Sequence, residues 1–534
     1  MMNGLIKPVL LLALLGLSVR AAPELIPQRM VPIEHREGDH PGREVALRIC
    51  QTCHLFPEPD LLTKDFWNYY ILDEMGLRLG MTPGPEFKGK AHVEMLKDKG
   101  MTKVLEKITA LGMYPSEPQL TTNDWAAIRA FYLDEAPDRL PPLARPLRLF
   151  NGLSQFSVVD PGLHLDGPMV SLLQIDNTRR QIRLLDVRAQ RLFVVNGHDG
   201  QMTNIQIPPL VQLEAMEHGY RGLVIGSIFP DDRELGKLVA MNEENGNYRV
   251  QTLIDHLARP ADLAWGDIDG DGIDDVVVCE FGFKLGRLAW YGKDATGAYI
   301  RHEIQPREGY LECELLDVDK DGDLDILAAA GQGREGAFIY YNRGDGEFDE
   351  SYVIQLPPAY GTSGMKIRDV NDDGFFDIIL TSGDVGDFYG SFLPKPYQGL
   401  RIYTNDGQNH FKEAFHYPMY GTYNVQAEDF DADGDLDFLV GSFFADYLAA
   451  PDESVVYLEN LGDLVFIAAK LPESVLGRWL LSAAGDVDGD GDIDVALGSF
   501  TPGPTVPPAA SAQRWSKNSP AFLLLLNRQV KPSR

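Results

Sequence analysis

The chain has 534 residues, 44% of them apolar and 10% aromatic, enough to bury at least one large core. Its formal net charge of −31, from 48 basic against 79 acidic side chains, argues against an electrostatic grip on nucleic acid or an anionic membrane surface. Four cysteines (Cys50, Cys53, Cys279 and Cys313) in a chain of this length are too few for a disulfide scaffold.

In chain order, residues 1–22 read as a secretory signal: Lys7, an apolar run over residues 9–17, then Val19-Arg20-Ala21 as a small-residue cleavage site. That run is short for a bilayer span. The expectation is a bacterial protein that is periplasmic or secreted, with no transmembrane segment after cleavage. Residues 23–42 read as an irregular leader.

Residues 43–137 read as mainly helical. The stretch 64–79 carries Phe66, Trp67, Tyr70, Ile71 and Met75 at helical spacing, and Thr122-Asn123-Asp124-Trp125 opens a last helix whose Ile128, Phe131, Tyr132 and Leu133 share a face. Within this region Cys50-Gln51-Thr52-Cys53-His54 has the spacing for two thioether bonds to haem vinyl groups, with His54 as the proximal iron ligand. A thioredoxin-like pair would want a βαβ context and a zinc site a second cysteine pair, and neither surrounds it. The region resembles a compact class I cytochrome c. That resemblance implies covalent haem c and a methionine as sixth ligand: Met75, eight residues after Trp67, is placed first, Met113 second and Met81 third.

A Pro-rich linker follows at 138–146, and from 147 to 530 the pattern changes to short β runs separated by Gly, Asn and Asp turns. Five loops of the form D-x-[DN]-x-D-G-x-x-D begin at Asp267, Asp317, Asp369, Asp429 and Asp486, each running into an apolar β run. Positions 1, 3 and 5 are Asp267, Asp269, Asp271; Asp317, Asp319, Asp321; Asp369, Asn371, Asp373; Asp429, Asp431, Asp433; and Asp486, Asp488, Asp490. Carboxylates so spaced converge on one hard cation, with Gly at position 6 for the turn. Position 7 (Ile273, Asp323, Phe375, Asp435, Asp492) offers its carbonyl. An EF-hand wants Glu at position 12, where this chain has Val278, Ala328, Leu380, Val440 and Leu497, so position 9 is expected to close the site: Asp275, Asp325, Asp377, Asp437 and Asp494. Up to five Ca²⁺ are thus expected.

A second half of each repeat ends in Asn and a Gly turn, as in YYNRGDGEF from Tyr340 to Phe348, and degenerate copies without the Asp loop precede Asp267. The count is seven units, near 167–208, 210–258, 259–307, 309–358, 362–416, 422–470 and 478–528. Four strands per unit in a ring is a propeller. Residues 147–159 are expected to complete the blade that holds the final strand. The repeats resemble the FG-GAP (VCBS) family known from integrin α-subunit heads and secreted bacterial proteins. That resemblance implies a seven-bladed β-propeller with Ca²⁺ in blade loops, but no single function.

The fold expected is therefore mainly β: a seven-bladed propeller preceded by a small all-α cytochrome c-like domain. The function expected is electron transfer with binding of a redox partner protein or a small-molecule or carbohydrate ligand. Two alternatives stay open. One is a propeller oxidoreductase passing electrons from a sugar or alcohol to its own haem, which resembles quinoprotein dehydrogenases but lacks their vicinal cysteines and Trp-docking repeats. The other is an adhesive or carbohydrate-binding propeller, for which Asp384 to Phe392, Phe443 to Tyr447 and the insertion around Trp515 are the candidate face-forming segments. No catalytic residue is assigned.

Overall fold

Each apolar run that follows an Asp loop forms the second strand of a four-stranded sheet, and all five runs (Asp275–Glu280, Asp325–Ala330, Asp377–Ser382, Asp437–Ser442 and Asp494–Ser499) are buried at every residue. Strands buried on both faces are continuously apolar instead of alternating. Here both faces of each sheet pack on neighbouring blades. The structure is a computed structural model that describes residues 40–82, 102–145, 147–197, 202–216, 219–229, 231–244, 247–386, 392–503 and 505–528. The signal segment, nearly all of the leader, residues 83–101 of the helical region and residues 387–391 lie outside the described residues.

Seven sheets, each built on four antiparallel strands, form the blades. Their first strands are Val170–Asp176, Leu210–Met216, Pro260–Gly266, Tyr310–Leu316, Thr362–Arg368, Thr422–Glu428 and Trp479–Gly485, here blades 1 to 7. Each first strand touches those of the preceding and following blades, and blade 7 touches blade 1, so the ring closes. Every first strand carries a bulge near its start, also in blades 1 and 2, which lack an Asp loop. The bulge aims side chains at the next blade: Gln212 donates to Asp262, Asp262 accepts from Cys313 N at 2.9 Å, and Asn424 Nδ2 donates to Leu480 O at 2.8 Å.

Residues 147–159 serve two blades. Phe156–Val159 pairs with Phe522–Asn527 and completes blade 7, as expected from the sequence. Leu149–Asn151 instead runs parallel to Phe466–Lys470 as a fifth strand of blade 6. The linker arrives beside blade 6, where Leu143 N donates to Tyr420 Oη at 3.0 Å and Arg145 pairs with Glu453 at 2.6 Å. The chain therefore meets the edge of blade 6 before it crosses at Gly152, in the left-handed region, to blade 7.

The helical region comprises Pro41–Cys50, a helix over 64–78 interrupted by a π turn at Trp67–Ile71, Thr102–Ala110 and Thr122–Glu135. Its last helix is capped by Thr121, whose Oγ1 accepts from Asp124 N at 3.1 Å. Trp67, Ile128, Phe131 and Tyr132 form the core, with the Trp67 and Tyr132 rings 4.3 Å apart and Trp67 Nε1 donating to Pro59 O. The first and last helices pack closely at Gly42, where a Cβ would stand 2.1 Å from Ala127 O. Gly42→Ala is expected to lower stability by about 1–3 kcal/mol, read as an earlier urea midpoint with unchanged slope.

This region belongs to the same compact unit as the propeller. It rests on the face formed by the connections between second and third strands: Lys107 pairs with Glu234, Lys284 with Glu74, and Tyr397 Oη donates to Leu61 O at 2.8 Å. The Asp loops join first to second strands, so they lie on the opposite face. Among the described residues no helix is long and apolar enough to cross a membrane.

Candidate functional site

The five Asp loops share one hydrogen-bond plan. In four, the carboxylate at position 1 accepts from the position-6 glycine N–H: Asp267 from Gly272 (2.9 Å), Asp317 from Gly322 (3.2 Å), Asp369 from Gly374 (2.8 Å) and Asp429 from Gly434 (3.2 Å). In blade 7, Asp486 accepts from Gly489 N instead. Position 5 accepts from the position-7 N–H throughout, as Asp271 does from Ile273 and Asp490 from Asp492. Position 4 is left-handed in every loop, even where it is Lys320, Asp372 or Ala432.

These turns gather the carboxylates. Ligand atoms of Asp267, Asp269 and Asp271 lie within 4.8 Å of one another, as do those of Asp317, Asp319 and Asp325, of Asp429, Asp431 and Asp433, and of Asp486, Asp488 and Asp494. The blade 5 loop has an amide in place of one acid, and its Asn371 Nδ2 donates to Asp373 Oδ2 at 2.9 Å. Among the described residues, Oδ1 of Asp267 and of Asp317 is buried with no hydrogen-bond donor, a costly condition that a cation at the convergence point would relieve.

Position 9 ties each loop into its blade. Asp275, Asp325, Asp377, Asp437 and Asp494 are all buried. In four blades Oδ2 accepts from the position-2 N–H, and in blade 6 from Tyr457 Oη at 2.6 Å. Oδ1 accepts from the backbone N–H of Asn342, Asn405, Asn460 or Asn527 at 2.8–2.9 Å in blades 4 to 7. This pins the loop to the third strand. The same asparagines tie neighbouring blades, as Asn342 Nδ2 donates to Ile268 O of blade 3 and Asn527 Nδ2 to Phe430 O of blade 6. The recurrent Asn was legible in the repeat, but only as a turn residue. Blade 1 puts guanidinium groups where a cation would otherwise be needed: Asp176 accepts from both Arg179 and Arg183.

On the other face, Cys50 ends the first helix, half-buried, and Cys53 is exposed; both thiols are free. Burial pushes the Cys50 thiol up to about 11. His54 Nδ1 lies 2.9 Å from Leu55 O, the geometry of a donated N–H, which leaves Nε2 with its lone pair available. Burial holds the His54 pKa below its ordinary value and the charge of Arg78 adds to this, so the imidazole is neutral at pH 7. Arg78 sits one turn beyond Met75, so the helix carrying Met75 runs near the motif. Met113 packs instead with Ile108, Tyr114 and Leu285 of blade 3, and Met81 against the helical core.

The segments expected to form an open ligand face are largely interior. Phe443, Phe444, Tyr447 and Trp515 are each under 8% exposed. Phe443, Tyr447 and Trp515 surround the buried Arg478 guanidinium at 5.1–5.6 Å. Cys279 and Cys313, also free, are buried in the core between blades 3 and 4.

Residues 317–380 match the model of the FG-GAP-like repeat. No curated protein sequence matches the chain. Solved structures with a similar trace include a chain of an S. cerevisiae Dbp5 assembly with Nup159, Gle1, IP6 and ADP, at 11% identity, covering 71% of this chain and 98% of that one, with a TM-score of 0.40. A Lactobacillus plantarum protein is 12% identical over 60% of this chain and 84% of its own, with a TM-score of 0.38. The U3-55K structure is 8% identical over 70% and 99%, with a TM-score of 0.42.

Proposed function

We propose that this FG-GAP-repeat propeller is a calcium-stabilised scaffold for an exported, mono-haem c-type cytochrome module that transfers electrons to or from a bound partner. The observation that carries the redox half is the arrangement at residues 50–54: two free thiols at a helix end, followed by a neutral imidazole with Nδ1 tied to a backbone carbonyl. Cys50 and Cys53 would hold the haem vinyl groups and His54 Nε2 the iron, with Met75 first and Met113 second as sixth ligand. Haem bound there supplies reversible one-electron storage. The chain's own residues keep His54 neutral by burial and form, with Trp67, Phe131 and Tyr132, an apolar body beside the motif. A tethering carbonyl of this kind fixes ring orientation and raises ligand basicity.

The calcium half is supported by the converging carboxylates and the two buried acceptors of Asp267 and Asp317. Its role is structural, because each loop is pinned to its own blade through position 9 and, at Asn342 and Asn527, to the neighbouring blade.

The test is an optical spectrum of protein expressed with c-haem maturation. A reduced α band that stays with the protein through acidic acetone extraction, and is lost in the C50A/C53A double variant, is the expected result. A wild-type protein without that band overturns the redox reading.

A further inference from the structure

We propose that the cleft between blades 4 and 5, on the face of the Asp loops, binds a free amino acid with an apolar side chain. The cleft encloses about 340 Å³, and small-molecule sites begin near ~300 Å³. Leu316 and Leu327 of blade 4 and Phe375 and Phe376 of blade 5 form its apolar wall, whereas the Leu315 side chain packs into the core between blades 3 and 4. Leu316 and Phe375 are both 38% exposed, so two large apolar side chains stand open at one mouth.

The wall is built from the loop that departs from the repeat. Position 7 is Phe375 here, where the other loops carry Ile273, Asp323, Asp435 and Asp492. The Phe375 ring is held in place. A Cβ at Gly407 would lie 2.6 Å from it, and Lys320 Nζ is 6.0 Å from its centroid.

Three charged residues line the cleft: Glu314, Arg368 and Asp369. Asp369 is committed to its loop, accepting from Asp373 N at 3.1 Å and Gly374 N at 2.8 Å. Arg368 spends NH1 on Ile367 O at 2.8 Å, and its NH2 makes only a long ion pair with Glu428 at 3.7 Å, with no hydrogen bond. Its side chain is 41% exposed, which leaves donors for a ligand carboxylate. Glu314, on the adjacent first strand and in the field of Lys366 and then of Arg368, is the acid that would meet an ammonium group. A simple carboxylate ligand would bring a second anion to Glu314, and a simple amine a second cation to Arg368. An α-amino acid satisfies both and lays its side chain on Phe375 and Leu316.

The proposal requires neither haem nor the redox reading. Isothermal titration of the full chain in excess calcium, with L-leucine and L-phenylalanine, tests it against 4-methylpentanoate and isopentylamine, which each lack one charge of leucine. Both amino acids are expected to bind, and each truncated analogue to bind tenfold or more weakly. R368A and E314Q are expected to weaken leucine binding by tenfold or more and F375A to weaken both amino acids, with unchanged melting. Absence of heat with either amino acid up to about 10 mM, some two decades weaker than a 0.1 mM site, overturns the proposal. So does binding of an analogue as tight as leucine, or binding unaltered in all three variants.

Discussion

Stripping calcium with a chelator is expected to lower the thermal midpoint of the protein by about 10 °C or more, and re-addition to restore it. A ligand held at a hundred times its Kd contributes about 2.7 kcal/mol per site, so five sites together contribute on the order of 10 kcal/mol. The loss also introduces a pH dependence. In the calcium-stripped protein, burial and the neighbouring Asp431 and Asp433 push Asp437 up to about 7, and burial with Asp488 and Asp490 pushes Asp494 up to about 6. Both carboxyls ordinarily titrate at 3.8. A raised carboxyl favours folding while it is protonated, so its stabilisation is full below pH 3.8 and is lost as pH rises through 6 to 7. The stripped protein is therefore expected to melt higher at pH 5 than at pH 8. Excess calcium, which binds the ionised form, removes that slope. A stripped protein with an unchanged midpoint would sink the calcium reading.

Glu74→Ala is expected to cost about 3–5 kcal/mol, as breaking a buried ion pair does when one partner stays behind. Glu74 is 6% exposed and accepts from Lys284 of blade 3 at 2.8 Å and from Tyr114 Oη at 3.0 Å. Arg78 bridges the same carboxylate at 3.7 Å and Glu308 at 3.0 Å, the latter preceding the first strand of blade 4. Burial alone would raise the Glu74 pKa, but Lys284 and then Arg78 bring it down to about 2. A carboxyl depressed from 4.5 to about 2 contributes stability above pH 4.5 and loses it as pH falls toward 2, a slope opposite to that of the stripped Asp loops. Urea unfolding at pH 7 and pH 3 measures both effects: the wild-type minus variant difference is expected to shrink at pH 3. A docked region that kept full stability in Glu74→Ala would show that the apolar contacts around Leu61, Tyr397 and Ala359 suffice.

Much of the scaffold was legible because its signals are local. An Asp-Gly turn of fixed spacing followed by a short apolar run prescribes a tight loop and a strand covered on both faces, wherever that pair occurs. Seven repeats of such a unit leave a ring as the way to bury every sheet face. The asparagines of the third strand repeat just as regularly, yet their partners lie 17 to 33 residues away in the loop carboxylates of the same blade. No local rule pairs them. The same holds for residues 149–151 and 156–159, two strands of similar composition that close different blades because of where the linker arrives.

The aromatic insertions mark the limit of composition as a guide. Phe443, Phe444 and Tyr447 beside acids have the make-up of an open ligand face, but each packs inward. An open aromatic that composition did not mark is Phe375, a single residue within an otherwise regular Asp loop. By itself the sequence determined the repeat, the strand that follows each Asp loop, the number of blades and the Cys-Cys-His spacing, because spacing along the chain is all these require. Tertiary structure alone decided that the helical region docks on the face opposite the Asp loops, that position 9 braces each of the five blades that carry such a loop, and that a cleft opens between blades 4 and 5. Each of these depends on charges and faces brought together from distant parts of the chain.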